Sequence, residues 1–110
     1  MIFSKEGSTT IITQEKTTII EFVQKIEDSY ESLKNDNIVA NLFSLKDITV
    51  SDVNEFLRIS NRHKKGKHSF VIVTNKISYD EAPKEIIVVP TLVEALDLIE
   101  MEEIERDLDF

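Results

Sequence analysis

The sequence predicts one α/β domain in which helices cover a mixed, partly parallel sheet, with the element order ββαβαββα. The chain has 110 residues, a length that suits a single core. Short β-branched runs alternate along it with helical apolar stripes. Strands that alternate with helices are joined by right-handed crossovers, which place neighbouring strands parallel and helices over the sheet. We therefore expect residues 1–110 to form a single domain of the α/β class.

The first third of the chain predicts a hairpin followed by a helix. The turn signal Gly7-Ser8 separates residues 2–3 from the β-branched run 9–13, a pattern typical of a β-hairpin. Residues 19–35 show the i, i+3, i+4, i+7 stripe of an amphipathic helix. The apolar members of that stripe are Ile19, Phe22, Val23, Ile26, Tyr30 and Leu33.

The remainder predicts three buried strands and two helices. The strands are the short apolar runs 38–45, 70–74 and 86–89. One helix is expected to begin at Thr49, to run to about Lys65 and to end at Gly66, with cations in its last turns, where the helix dipole favours them. Residues 75–84 are polar and contain Pro83, so we expect a loop there.

The last helix is predicted to begin at Thr91, with Glu94 completing a capping box. One face of a continuous helix would carry Leu92, Ala95, Leu96 and Ile99, and the opposite face would carry Met101, Ile104 and Leu108. The second face requires either a bend near Glu100 that folds the tail back, or a contact with another chain. Both remain open, and the second makes a homodimer contact a candidate.

Charge is unevenly distributed along the chain. The formal net charge is −8, which disfavours general binding to nucleic acid. A basic segment nevertheless contains Arg58, Arg62, Lys64, Lys65 and Lys67, and the acidic C-terminus contains Glu100, Glu102, Glu103, Glu105, Asp107 and Asp109. We favour solvation of a helix end as the role of the basic segment, then an acidic protein partner, and nucleic acid last, because aromatic residues for base stacking are not interleaved with the cations.

Catalytic constellations are missing from the sequence. The chain has no cysteine, and its two histidines, His63 and His68, lie in the basic segment without nearby acids. We therefore interpret the histidines as part of a solvated helix end and expect no metal site. The glycines, Gly7 and Gly66, are too far apart for a phosphate-binding loop. We expect neither a cofactor nor enzymatic activity.

The predicted cellular location is the cytoplasm. The N-terminal residues MIFSKEGSTT lack the basic segment and long apolar run of a secretory signal. No apolar run approaches the ~20 residues that span a bilayer. We therefore expect no membrane partner.

Residues 37–100 resemble a STAS domain, the module of anti-sigma factor antagonists and of the cytoplasmic tails of anion transporters. The resemblance is carried by the strand NIVANLFSL, the loop DITVSD, the helix VNEFLRISNRHKK, the strands SFVIVT and EIIVVP, and the helix TLVEALDLIE. With the N-terminal hairpin and first helix, the element order matches over nearly the whole chain. The resemblance implies a STAS-like fold and a non-enzymatic regulatory module that binds a protein partner.

The loop before the second main helix is where STAS antagonists resemble one another most, through an Asp-Ser-Ser-Gly pattern whose first serine is the usual phosphoacceptor. The matching positions are Thr49, Val50, Ser51 and Asp52. Val50 therefore replaces the usual phosphoacceptor, and Ser51 matches the second serine. The resemblance makes Thr49, Ser51 and Asp52 a candidate phosphorylation or partner loop.

Two interpretations of these hydroxyl groups follow. A threonine with an acid three residues later is a capping box, and such a cap stabilises a helix by ~1 kcal/mol. A phosphate on Ser51 would meet amide donors and a favourable helix dipole, but also the repulsive carboxylate of Asp52. We favour the start of a helix, with phosphorylation of Ser51 as the alternative.

The C-terminal run EIIVVPTLVEALDLIEMEEIERDLDF is also similar to that of short Bacteroidetes proteins that carry the name ribonuclease Z. That enzyme is a zinc nuclease with an H-x-H-x-D-H motif, which the sequence does not contain. We therefore expect no nuclease activity. The alternative function that this similarity implies is an accessory protein in RNA processing, which would bind phosphates through the basic segment.

Overall fold

The computed structural model describes residues 1–108 and contains a five-stranded sheet in the order β1-β2-β3-β4-β5. Its strands are β1 (Ile2–Glu6), β2 (Thr9–Thr13), β3 (Asn37–Asn41), β4 (Phe70–Val73) and β5 (Ile87–Val89). β1 pairs with β2 in the antiparallel sense, and every later pair is parallel. The predicted mixed, partly parallel α/β sheet is therefore confirmed. Asp109, the last member of the predicted acidic C-terminus, lies outside the described residues.

The hairpin turns where the sequence predicts it. Gly7 has a φ of +59°, a left-handed conformation that glycine adopts without a steric penalty. The two strands then pair with Glu6 opposite Thr9 and Ile2 opposite Thr13. This register extends a parallel sheet by one antiparallel edge strand.

Within residues 1–108, five helices connect and cover the strands. They are α1 (Ile19–Asp28), α2 (Tyr30–Leu33), α3 (Val50–Asn54), α4 (Leu57–Lys65) and α5 (Leu92–Leu108). The predicted helix 19–35 is interrupted at Ser29, whose carbonyl accepts both the amide and the hydroxyl of Ser32. The predicted second helix is likewise divided between α3 and α4. The helix is divided there because the amides of Glu55 and Phe56 donate to carbonyls three residues back, the hydrogen-bond pattern of a 3-10 turn rather than of an α-helix.

The strand predicted over 38–45 is shorter than expected. β3 ends at Asn41, whose side-chain oxygen accepts a hydrogen bond from the Phe43 amide at 3.1 Å. The chain then turns, with the Leu45 amide donating to the Leu42 carbonyl. An asparagine that bonds the backbone two residues later forms a turn of its own and ends the strand.

Each face of the sheet has its own apolar core. On one face, α1 and the α3–α4 pair pack against the strands through Phe22, Phe56 and Ile59. On the other face, α5 contributes Ala95 and Ile99 to a smaller cluster of strand residues. Neighbouring strand residues alternate between these clusters, as the two-residue period of a strand requires.

Of the two possibilities that the sequence left open for the last helix, the bend near Glu100 does not occur, because α5 is one continuous helix from Leu92 to Leu108. Polar contacts hold its second half to the amino ends of β3 and β4. Arg106 donates to the Ser69 hydroxyl and to the Asn37 side-chain oxygen, at 3.1 and 3.3 Å, and Ser69 donates to Glu102 at 2.6 Å. The helix therefore continues along the sheet without turning its second apolar face inward.

Candidate functional site

The loop after β3 and the start of α3 contain the residues that the sequence singles out. In a parallel sheet the segments after the strands gather at the carboxyl edge, where ligands of open α/β sheets generally bind. The capping box predicted for Thr49 and Asp52 is present. The Thr49 hydroxyl oxygen accepts the Asp52 amide at 3.2 Å, and the Asp52 carboxylate accepts the Thr49 amide at 3.0 Å. Both side chains therefore fix the start of α3.

Ser51 has a different environment from Thr49. It lies in the first turn of α3, it is exposed, and its hydroxyl is not part of the capping box. Both residues are exposed, but the hydroxyl of Thr49 belongs to the capping box and that of Ser51 does not, so the structure assigns the capping role to Thr49 alone.

Phe43 is the residue of this loop that the sequence analysis missed. It follows the end of β3, and 58% of its surface is exposed. Its neighbour Leu42 is fully buried. The signal available in the sequence was Asn41, a turn-forming residue inside the run that was assigned to a buried strand. We define the loop surface as Phe43, Thr49, Ser51 and Asp52.

The basic segment is not one continuous patch. Arg58, Arg62 and Lys65 follow one another at helical spacing and are exposed, so they form a stripe along α4. Lys64 instead donates to the Glu85 carbonyl. Lys67 lies beyond the helix with a φ of 64°, so it takes the left-handed position that the sequence assigned to Gly66. Arg62 also covers the ring of Tyr30, with its guanidinium carbon 4.2 Å from the ring centroid.

His63 contradicts the interpretation of the histidines as part of a solvated helix end, because it is fully buried. Its Nε2 lies 2.6 Å from the Asp36 carbonyl and its Nδ1 lies 2.7 Å from the Tyr30 hydroxyl. A carbonyl only accepts, so Nε2 donates, and Nδ1 of the neutral ring accepts a hydrogen bond from the Tyr30 hydroxyl. His68 stacks on the imidazole, with ring centroids 5.5 Å apart.

The electrostatics of His63 follow from this burial. Desolvation lowers the pKa of His63 below its ordinary value, and the hydrogen bond to the Asp36 carbonyl opposes part of that shift. The same burial raises the pKa of Tyr30. The pair is therefore a neutral hydrogen-bonded link that joins α2, α4 and the residue before β3.

Other kinds of site have little support in the described part of the chain. No group of three or more metal-ligating side chains comes together within residues 1–108. The helices in that range do not combine the length and the apolar character that crossing a membrane requires.

A groove of about 710 Å³ runs along the outer edge of β5, and its lining includes Tyr79, Pro83, Ile87, Val89 and Glu94.

Comparison with known proteins identifies the fold. No protein-family model and no curated protein sequence matches the chain. The structure is similar to that of RsbS from Moorella thermoacetica, a STAS-domain protein solved as a variant with one serine replaced by glutamate, with a TM-score of 0.60 and 14% sequence identity. The match covers 89% of this chain and 95% of that chain. The predicted STAS-like fold is therefore confirmed, whereas the similarity to proteins named ribonuclease Z stays a prediction.

Proposed function

We propose that this protein is a cytoplasmic, non-enzymatic regulatory module of STAS type that binds a protein partner through the loop surface. The proposal joins the fold, which matches a STAS-domain protein over 89% of the chain, to the residues at the end of β3. The single observation that carries it is the exposed Phe43 in the loop that leads from β3 to the capped start of α3.

The loop surface has the composition of a small protein-binding site. Aromatic side chains are enriched in the cores of protein interfaces, and polar groups typically surround them. Phe43 supplies the aromatic group, and Ser51 supplies an exposed hydroxyl in the first turn of α3. The capping box holds the start of α3 in place before a partner arrives, which lowers the entropy lost on binding.

Affinity capture of the tagged full chain from its native cell lysate tests this function. Phe43→Ser removes the exposed ring, and Glu31→Ala is the matched control because Glu31 is exposed on α2 before β3, at the opposite edge of the sheet. We expect one or more proteins to be retained by the wild type and by Glu31→Ala, and to be reduced about tenfold by Phe43→Ser. Equal recovery of every bound protein with all three chains would contradict the proposed surface.

Regulation by phosphorylation would act at Ser51. A phosphate there would add negative charge beside Asp52 on the proposed contact surface. We expect Ser51→Glu to change the amount of captured partner severalfold, and Ser51→Ala to leave it close to the wild-type amount. Unchanged capture by Ser51→Glu would count against a switch at this residue.

The competing function is an accessory role in RNA processing, and the exposed stripe of Arg58, Arg62 and Lys65 is the surface it would use. Binding to phosphates would weaken steeply with salt, and Arg58→Glu with Lys65→Glu would reduce that dependence. RNA should therefore be quantified in the same captures. Absence of bound RNA at low salt would remove this function without affecting the first.

A further inference from the structure

A second exposed apolar surface lies on α5, on the face of the helix that points away from the sheet. Val93, Met101, Ile104 and Leu108 have between 53% and 72% of their surfaces exposed. Their spacings of eight, three and four residues align them along one side of a continuous helix of 17 residues, with the exposed Asp97 on the same side between Val93 and Met101. We name this set the α5 stripe. Its uninterrupted part, from Met101 to Leu108, matches the apolar face of a partner helix of about two turns.

Acidic side chains border the α5 stripe on both sides. Helical geometry of 100° per residue places Glu94 and Glu105 along one border and Glu100 and Asp107 along the other, and all four are exposed. Arg106, the one base of α5, instead contacts Ser69 and Asn37 at the sheet. The exposed face of α5 is therefore apolar over Met101, Ile104 and Leu108, anionic along its borders, and interrupted by the exposed carboxylate of Asp97 between Val93 and Met101.

This charge pattern selects among the possible occupants. A second copy docked stripe to stripe would bring the acidic borders of the two α5 helices against each other, in a chain that already carries a formal charge of −8. Juxtaposed like charges disfavour such an interface. A helix with an apolar face and basic borders would instead meet opposite charge along both sides.

We propose that the α5 stripe binds a cationic amphipathic helix of a partner protein. The site lies on the opposite face of the sheet from α3 and α4, so it goes beyond the loop surface and stands or falls independently of it. Recognition is helix against helix, in which apolar side chains provide affinity and bordering charges select the partner.

The test uses two synthetic helical peptides and the full chain. Both peptides carry leucines at heptad spacing; one has lysine at the flanking positions and the other has glutamate. We expect the lysine peptide to bind, with an affinity that falls as salt is raised, and the glutamate peptide to bind at least tenfold more weakly.

Charge-neutral substitutions separate stripe binding from general attraction to an acidic protein. Met101→Ser with Ile104→Ser should weaken lysine-peptide binding about tenfold or more, because the peptide then no longer buries the two apolar side chains of the stripe. Ile20→Ser, on exposed Ile20 of α1, is the control and should leave the affinity unchanged. Equal binding of the lysine peptide by all three proteins would overturn the proposal.

Sedimentation of the free chain decides the remaining alternative. A monomer, both in the wild type and in the Met101→Ser, Ile104→Ser variant, supports a stripe that is open to a partner. A wild-type dimer that this variant dissociates would overturn the proposal, because a second copy would then be the occupant.

Discussion

Thr49 and Ser51 are two residues apart, yet their side chains have different environments. The Thr49 hydroxyl completes a reciprocal capping box with Asp52. Ser51 is exposed one position inside the helix. The sequence predicts the first role because the spacing of a capping box is local. It does not predict the exposure of Phe43, which depends on where β3 ends.

Removal of the Thr49 cap should destabilise the protein measurably. We expect Thr49→Ala to lower the free energy of unfolding by ~1 kcal/mol, because the Asp52 amide loses its acceptor. Urea denaturation measures this change. Ser51→Ala is the neighbouring control and should stay within about 0.5 kcal/mol of the wild type. Equal effects of both substitutions would contradict the assigned roles.

The buried hydrogen bond between Tyr30 and His63 should contribute more to the free energy of unfolding than the hydroxyl of an exposed tyrosine does. Tyr30→Phe removes the hydroxyl that donates to Nδ1 and leaves a buried nitrogen without a partner, so we expect a loss of about 1–3 kcal/mol. Tyr79→Phe, at an exposed position, is the matched control and should change little. Chemical denaturation of both variants checks the difference.

His63 should also make stability depend on pH. Its pKa is lowered in the folded chain, so below the unfolded value of about 6.5 the unfolded chain binds a proton that the folded chain does not. The free energy of unfolding should therefore fall as the pH drops from about 6.5 towards the lower folded pKa. In the His63→Gln variant, the free energy of unfolding should depend less on pH in that range, even if the variant is less stable than the wild type. A wild-type slope retained in full by the variant would show that other groups cause it.

At the scale of elements, α5 shows what local sequence patterns leave undetermined. Its two apolar faces were visible in the sequence, but the hydrogen bond from Arg106 in its second half reaches Asn37, 69 residues earlier. The divisions of the helical segments near Ser29 and Glu55 were missed for a related reason, since capping patterns indicate where helices start but not where they are interrupted. The alternation of strands and helices was sufficient to predict a partly parallel sheet.

Loss of the Arg106 contacts should loosen the second half of α5. We expect Arg106→Ala to increase hydrogen exchange in residues 102–108, because the helix loses its donors to Ser69 and Asn37. Exchange around Ala95 and Ile99, which are buried against the sheet, should change much less. Hydrogen-exchange mass spectrometry separates these peptides. A uniform increase along α5 would show that the contacts support the whole helix.

At the scale of the whole molecule, the sheet separates two surfaces with different chemistry. The α1 and α3–α4 side lies next to the loop surface and the exposed cations of α4, whereas the α5 side is apolar and acidic. Composition and element order were sufficient to predict the α/β class, and the resemblance of residues 37–100 to a STAS domain predicted the STAS-like fold. They could not predict that His63 is buried, because Tyr30 and Asp36 are brought to it by the folding of distant segments.

Photo-crosslinking in the native cell tests the proposed protein contact most directly. Phe43 is replaced by p-benzoylphenylalanine in the full chain, and Glu31 is replaced in the same way as the control at the opposite edge of the sheet. We predict light-dependent crosslinks to a discrete protein from position 43 and few or none from position 31. Crosslinks of equal yield from both positions, or none from position 43, would contradict a protein-binding role for the loop surface.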